Sequence, residues 1–168
     1  SNIFLHYVLD IWFDRVARKE LKEKSGLIRY ADDAVAFFRS EQDAKHFVEL
    51  LTKRFEKFGL TIHPTKTRIV HFDRDKSRSG MFDFLGFRFY WGKTANGYRT
   101  VKCVTSSKRL RAKIKLFKLW IKNNRNLHRL PILWKRAARM FQGHFAYYGV
   151  SWNSRQLSRY QHDCLLLL

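Results

Sequence analysis

Two short apolar runs, Ile28-Arg29-Tyr30-Ala31 and Ala34-Val35-Ala36-Phe37-Phe38, close on a pair of adjacent acids, Asp32 and Asp33. β-Branched and aromatic residues on both sides of a polar pair predict a tight β-hairpin with both acids in its turn. This stretch constrains the chain more than any other, because neighbouring carboxylates repel and a cation relieves that repulsion. A hard divalent ion such as Mg²⁺ suits the pair: it takes oxygen ligands and binds through one or two carboxylates together with substrate phosphates. For two acids taken alone a solvated turn is the commoner reading, since Asp is an ordinary turn former.

Charge narrows the partners. The chain of 168 residues has a net charge of +20, and 45% hydrophobic content is enough for a core. Residues 1–91 carry 17 Lys/Arg against 13 Asp/Glu, a net +4; residues 92–168 carry 17 Lys/Arg against Asp163 alone, a net +16. A segment that basic repels itself unless it meets a polyanion, and nucleic acid is the natural one. No apolar run approaches the length of a membrane span. Cys103 and Cys164 stand apart with no C-x-x-C spacing, and the seven His show no zinc spacing with them, which reads as a reduced cytoplasmic protein without structural zinc. Ser1-Asn2-Ile3 shows no basic leader of a signal peptide.

Four strings carry a family resemblance. Tyr30-Ala31-Asp32-Asp33 between apolar strands resembles the Y-x-D-D box of reverse transcriptases. Gly59-Leu60-Thr61-Ile62-His63-Pro64-Thr65-Lys66-Thr67 resembles the next block, and Phe84-Leu85-Gly86-Phe87 the one after it, the primer grip. Gly143-His144-Phe145-Ala146-Tyr147-Tyr148-Gly149-Val150, followed by Asn153, resembles the maturase segment of group II intron reverse transcriptases. The blocks occur in the family's order and span nearly the whole chain. Retron-like bacterial reverse transcriptases are the near alternative, against which the Gly143 to Val150 segment counts.

Element by element, the pattern predicts an α+β fold. Leu5, Val8, Leu9, Trp12 and Val16 predict one face of an amphipathic helix over 3–23, with His6, Asp10 and Asp14 on its solvated side. Lys24-Ser25-Gly26 breaks it before the Asp-Asp hairpin. Ser40 is a predicted N-cap, with Asp43 as its capping-box partner, of a helix striped by Ala44, Phe47, Val48, Leu51, Phe55 and Phe58 and closed by Gly59. Short strands are expected over 60–62 and 66–72, then a polar loop over 73–80. Phe82 to Trp91 and Tyr98 to Val104 read as a hairpin turning at Asn96-Gly97, with Phe84 and Phe87 in the core. Beyond residue 105 the chain turns basic and helical. Ser106 or Ser107 caps a helix with Leu110, Ile114, Phe117 and Ile121 inside. Pro131 opens a second helix faced by Trp134, Ala138, Phe141, Phe145 and Tyr148, and a third begins near Asn153 or Ser154 with Leu157, Tyr160 and Cys164.

The resemblance divides the chain into the C-terminal part of a polymerase palm, an antiparallel sheet with helices on one face (1–105), and a three-helix thumb or maturase segment (106–168). It implies that Asp32 is the main metal ligand and Asp33 assists, with two Mg²⁺ in the complete site, and that Lys66 protonates the leaving pyrophosphate. Tyr30 and Ala31 lie by the nucleotide, and Leu85 and Gly86 nearest the primer. Lys108, Arg109, Arg111, Lys113, Lys115, Lys118, Lys122 and Arg125 are the expected contacts to nucleic acid. The implied partners are a template–primer RNA/DNA duplex, group II intron RNA and deoxynucleoside triphosphates. The family takes a further Asp from an earlier palm strand; the residues before Asp32 read as helix and turn. The expectation is therefore a fragment that binds nucleic acid without polymerising alone, its remaining palm and fingers supplied by the same protein or a second chain. The alternative from another class is a non-catalytic RNA-binding splicing maturase in which the acids are a remnant.

Overall fold

The computed structural model describes residues 2–74 and 80–168; residues 75–79, within the polar loop expected over 73–80, lie outside it. The fold is α+β. A two-stranded and a three-stranded antiparallel sheet are combined with helices. The chain forms two compact units, Ser1–His71 and Phe72–Leu168. Among the described residues no helix is long and apolar enough to cross a membrane, and both cysteines are free.

In the first unit a continuous helical run covers residues 2–20, built from α1 (Asn2–Leu5), π-helical segments His6–Ile11 and Phe13–Ala17, and α2 (Arg18–Glu20). Bonding from i to i+5 widens the turn. The buried positions therefore step by about four, through Leu9, Phe13, Ala17 and Leu21, with Val8 and Trp12 beside them. This corrects the 3.6-residue face: Val16, expected inside, is 45% exposed. The run ends three residues early, at an extended Leu21, and Ser25 and Gly26 open a strand instead of breaking a helix.

Strands β1 (Ser25–Tyr30) and β2 (Asp33–Phe38) pair in register from Ser25 opposite Phe38 to Tyr30 opposite Asp33. Gly26 pairs with Phe37, whose ring lies so close that a Cβ on Gly26 would meet it at 2.2 Å. Helix α3 (Glu41–Glu56) packs Phe47, Leu50, Leu51 and Phe55 into the same core as Leu27, Ala36 and Phe38. Ser40 caps it, its hydroxyl accepting from the Gln42 amide at 3.1 Å. Asp43 does not return to Ser40 as a capping box would. It is buried, and its carboxylate accepts the Lys22 and Glu23 amides at 3.3 and 3.1 Å, tying the end of the helical run to α3. Gly59, at φ 67°, closes α3 with bonds from Leu60 N to Phe55 O and from Gly59 N to Glu56 O, the Schellman pattern. The strands expected over 60–62 and 66–72 do not form. The amides of Lys66 and Thr67 both bond His63 O around Pro64, so local turn bonds take the place of a ladder.

In the second unit β3 (Phe82–Phe84), β4 (Phe87–Lys93) and β5 (Arg99–Thr105) form a meander. The single strand expected from Phe82 to Trp91 is thus two strands. Leu85 and Gly86, at φ 51° and 83°, make a two-residue turn that sets Phe84 opposite Phe87; left-handed residues at both central positions are the type I′ signature. The later hairpin turns where expected. Its loop has three residues, with only Gly97 left-handed, because Thr94 N bonds Tyr98 O and Gly97 N bonds Thr94 O.

Helices α4 (Ser107–Asn124), α5 (Leu130–Tyr148) and α6 (Ser154–Leu165) share a core of Leu110, Phe117, Ile121, Ala137, Phe141, Tyr160 and Cys164, with Ile114 packed against it. Ser106 is the cap of α4. The buried face of α5 is Leu133, Ala137, Phe141, His144 and Tyr148: Phe141 and Tyr148 lie inside as expected, and the other three positions fall one residue before Trp134, Ala138 and Phe145; Trp134 is 46% exposed. A histidine inside the true stripe disguised it.

His144 is buried, stacked on Tyr160 at 3.7 Å with Tyr148 at 4.7 Å, and among the described residues its Nε2 has no hydrogen-bond partner. Burial, helped by Lys113 on α4, pulls its pKa down to about 4 from 6.5. A depressed folded pKa means that the unfolded chain takes the proton first. Stability is therefore lost as pH falls from 6.5 towards 4 and is fully present above 6.5. The expected loss is up to about 3 kcal/mol, at 1.36 kcal/mol per pKa unit. Urea unfolding at pH 7, 5.5 and 4.2 checks this, and His144→Phe should flatten that part of the profile.

Candidate active site

The hairpin carries the acids on a turn of two residues, Ala31 and Asp32, closed by the Tyr30–Asp33 pair. Asp33 is therefore the first residue of β2 rather than a turn residue. Ala31 has φ 55° and Asp32 is not left-handed, the φ pattern of a type II′ turn. Strand alternation turns Leu27, Arg29, Ala36 and Phe38 towards the helices, and Ile28, Tyr30, Asp33 and Phe37 to the open side. There Ile28, Tyr30 and Phe37 are 57%, 67% and 54% exposed. Asp32 and Asp33 are exposed, and among the described residues neither makes an ion pair or side-chain hydrogen bond. No group of three or more His, Cys, Asp or Glu able to hold a metal forms among the described residues. Two adjacent carboxylates with free oxygens still fit a hard divalent ion as a partial ligand set.

Behind the turn lies a polar contact that the sequence did not reveal. Arg29 Nε donates to Asp10 Oδ1 at 2.7 Å and Nη2 to Asp10 Oδ2 at 2.6 Å, while Nη1 donates to Ala31 O at 2.5 Å. Asp10 is thus not on a solvated helix side. The Arg29 bonds hold its carboxyl below the usual range. Asp14 remains exposed, 3.8 Å from Arg18. Lys66 sits exposed in the turn after α3, with no hydrogen bond or ion pair to either hairpin acid.

Leu85 and Gly86 form the tip of the β3–β4 hairpin and are held from two sides. Tyr147 donates its hydroxyl to Leu85 O at 2.9 Å, and Ser106 N donates to Gly86 O at 3.0 Å. Phe87 stacks on Tyr147 with ring centres 5.6 Å apart, and a Cβ on Gly86 would come within 2.8 Å of the Tyr148 hydroxyl. Both tyrosines belong to the Gly143 to Val150 string.

The basic residues of α4 are not one uniform coat. Lys108, Arg111, Lys115, Lys118 and Lys122 recur at spacings of three and four, and all are exposed. They make a single line about 21 Å long at 1.5 Å per residue. Arg109 and Lys113 lie off that line, and Arg125 follows the last turn. Leu119, beside the line, is 46% exposed, and Leu116, on the side of Lys113, is 57% exposed.

The model of the family described as reverse transcriptase (RNA-dependent DNA polymerase) matches residues 1–89. The chain belongs to the reverse transcriptase family. The matched span takes in the whole hairpin of Asp32 and Asp33 and the Leu85-Gly86 turn. No curated protein and no solved structure matches the chain. Reverse transcriptases are nucleotidyltransferases that build DNA on an RNA template from deoxynucleoside triphosphates, and in general they use divalent metal ions.

Proposed function

We propose that this chain is part of an intron-encoded reverse transcriptase and maturase of the group II type, with a palm portion at 1–105 and a thumb and maturase portion at 106–168. The observation that carries the catalytic reading is the type II′ hairpin that holds Asp32 and Asp33 exposed and, among the described residues, unpartnered, inside a span matched by the reverse transcriptase family. Asp32 and Asp33 would hold magnesium. Bound there, it would activate the primer 3′-hydroxyl and neutralise the triphosphate. Tyr30 and Ala31 border the nucleotide, and the Leu85-Gly86 backbone positions the primer end. Lys66 gives a proton to the leaving pyrophosphate. The intron reading is supported by the Gly143 to Val150 string, whose tyrosines grip the Leu85-Gly86 turn.

A non-catalytic RNA-binding maturase is the second reading, favoured by the net +16 of residues 92–168. Both readings require a nucleic-acid surface, and the α4 line supplies it. Replacing Lys108, Arg111, Lys115, Lys118 and Lys122 together by Gln keeps good helix formers and the Leu110, Phe117 and Ile121 core. The log–log salt slope for an RNA–DNA duplex should fall by about three to four units, at roughly 0.9 for each phosphate that is no longer neutralised. Neutralising Arg109 and Lys113 instead should change it less. An unchanged slope in a variant shown folded by circular dichroism would remove α4 from the interface. Metal-dependent primer extension separates the two readings.

A further inference from the structure

We propose that Arg29 is the positioning residue of the turn that presents Asp32 and Asp33: it ties the Ala31 carbonyl to Asp10 and so holds a non-glycine residue in the left-handed conformation. The proposal rests on the reading of those two acids as the catalytic pair.

A type II′ turn needs positive φ at its first central position, and glycine is the usual occupant. Here the position is Ala31, at 55°. An L-residue resists that conformation because its Cβ crowds the following carbonyl. Something must hold it, and the Arg29 side chain is placed to do so. Its Nε and Nη2 grip both oxygens of Asp10, which fixes the plane of the guanidinium. The remaining nitrogen, Nη1, then donates to Ala31 O at 2.5 Å, with a longer contact of 3.4 Å to Asn2 Oδ1. The Arg29 side chain is only 12% exposed, on the inward face of a hairpin whose outward neighbours Ile28 and Tyr30 are open to solvent. Asp10 lies in the π-helical segment His6–Ile11, and π turns recur at functional sites. Lysine cannot reproduce the arrangement, since its single ammonium cannot present a planar fork to Asp10 and a third donor to the turn.

A residue that merely neutralised Asp10 would stabilise the unit as a whole. A residue that holds Ala31 becomes dispensable when position 31 has no Cβ. Amide hydrogen exchange on the folded chain, followed by NMR, distinguishes them. Arg29→Lys and Asp10→Asn should each speed exchange of the Asp33 and Tyr30 amides, which pair across the turn, by about 5–30-fold, the equivalent of the left-handed cost. The amides of α3 should change much less. Adding Ala31→Gly to Arg29→Lys should bring the turn amides back near the parent rate. Unchanged turn exchange in Arg29→Lys, failure of Ala31→Gly to restore it, or an equal rise across α3 and both strands would each overturn the clamp. Exchange is read without metal or substrate. Loss of the catalytic reading, measured separately with Asp32→Asn in primer extension, would leave the exchange result standing and remove only its link to catalysis.

Discussion

Asn153→Ala should lower the stability of the second unit by about 2–4 kcal/mol. Asn153 is fully buried. Its Oδ1 accepts the Thr105 amide at 2.8 Å, and its Nδ2 donates at 2.8 Å to both Thr105 Oγ1 and Tyr148 O. One side chain therefore joins the end of β5, the end of α5 and the start of α6. Alanine leaves the Thr105 amide buried without this partner, at about 1–3 kcal/mol, takes one of two bonds from Tyr148 O, which still accepts the Val150 amide at 2.8 Å, and adds a small cavity. Against a typical total of about 5–15 kcal/mol that loss is large. Melting of the variant should come at least about 10 °C earlier. Asn153→Asp should be no better, because a carboxylate offers no donor to the two acceptors. A shift below about 1 kcal/mol would mean that the amide does not hold these elements together.

Some features of the fold were legible because local rules suffice for them. The Asp-Asp hairpin follows from apolar runs about a polar pair, the end of α3 from Gly59, and the β4–β5 loop from Asn96-Gly97. Other features depend on partners far along the chain. Asp10 looked like one more charge on a solvated helix side, because Arg29 lies 19 residues away and only the widened π turns bring Asp10 onto the sheet. Leu85-Gly86 was hidden inside an aromatic run whose alternation continues across the turn. Its signal was Gly86 itself, which nothing in a plain strand requires. His144 concealed the register of α5, since a ring with an unpaired nitrogen is not expected in a core stripe. Asn153 was visible in a motif and as the start of a helix, but its side chain is spent on Thr105 and Tyr148 rather than on capping α6. At the candidate site the two acids were identifiable, and what holds them in place was not.

The second large effect concerns the acids themselves. Asp32→Asn keeps the size and polarity of the side chain and removes the charge proposed to hold a hard cation. Primer extension by the protein that carries residues 1–168 should fall by more than about 100-fold, since loss of partners one shell further out already costs 10–100-fold at metal sites. Duplex affinity and its salt slope should stay near the parent values, because the phosphate contacts proposed for the α4 line are untouched. Asp32 is exposed and has no bonding partner among the described residues, so the fold should not change. The decisive measurement is Mg²⁺-dependent extension of a DNA primer on an RNA template by the protein that carries residues 1–168, with its remaining palm and fingers, and by its Asp32→Asn form, with duplex binding measured on the same preparations. Extension by the parent, lost in the variant while binding persists, is the expected result. Equal extension by both proteins, or none by either under conditions where both bind duplex, would contradict a catalytic role for Asp32.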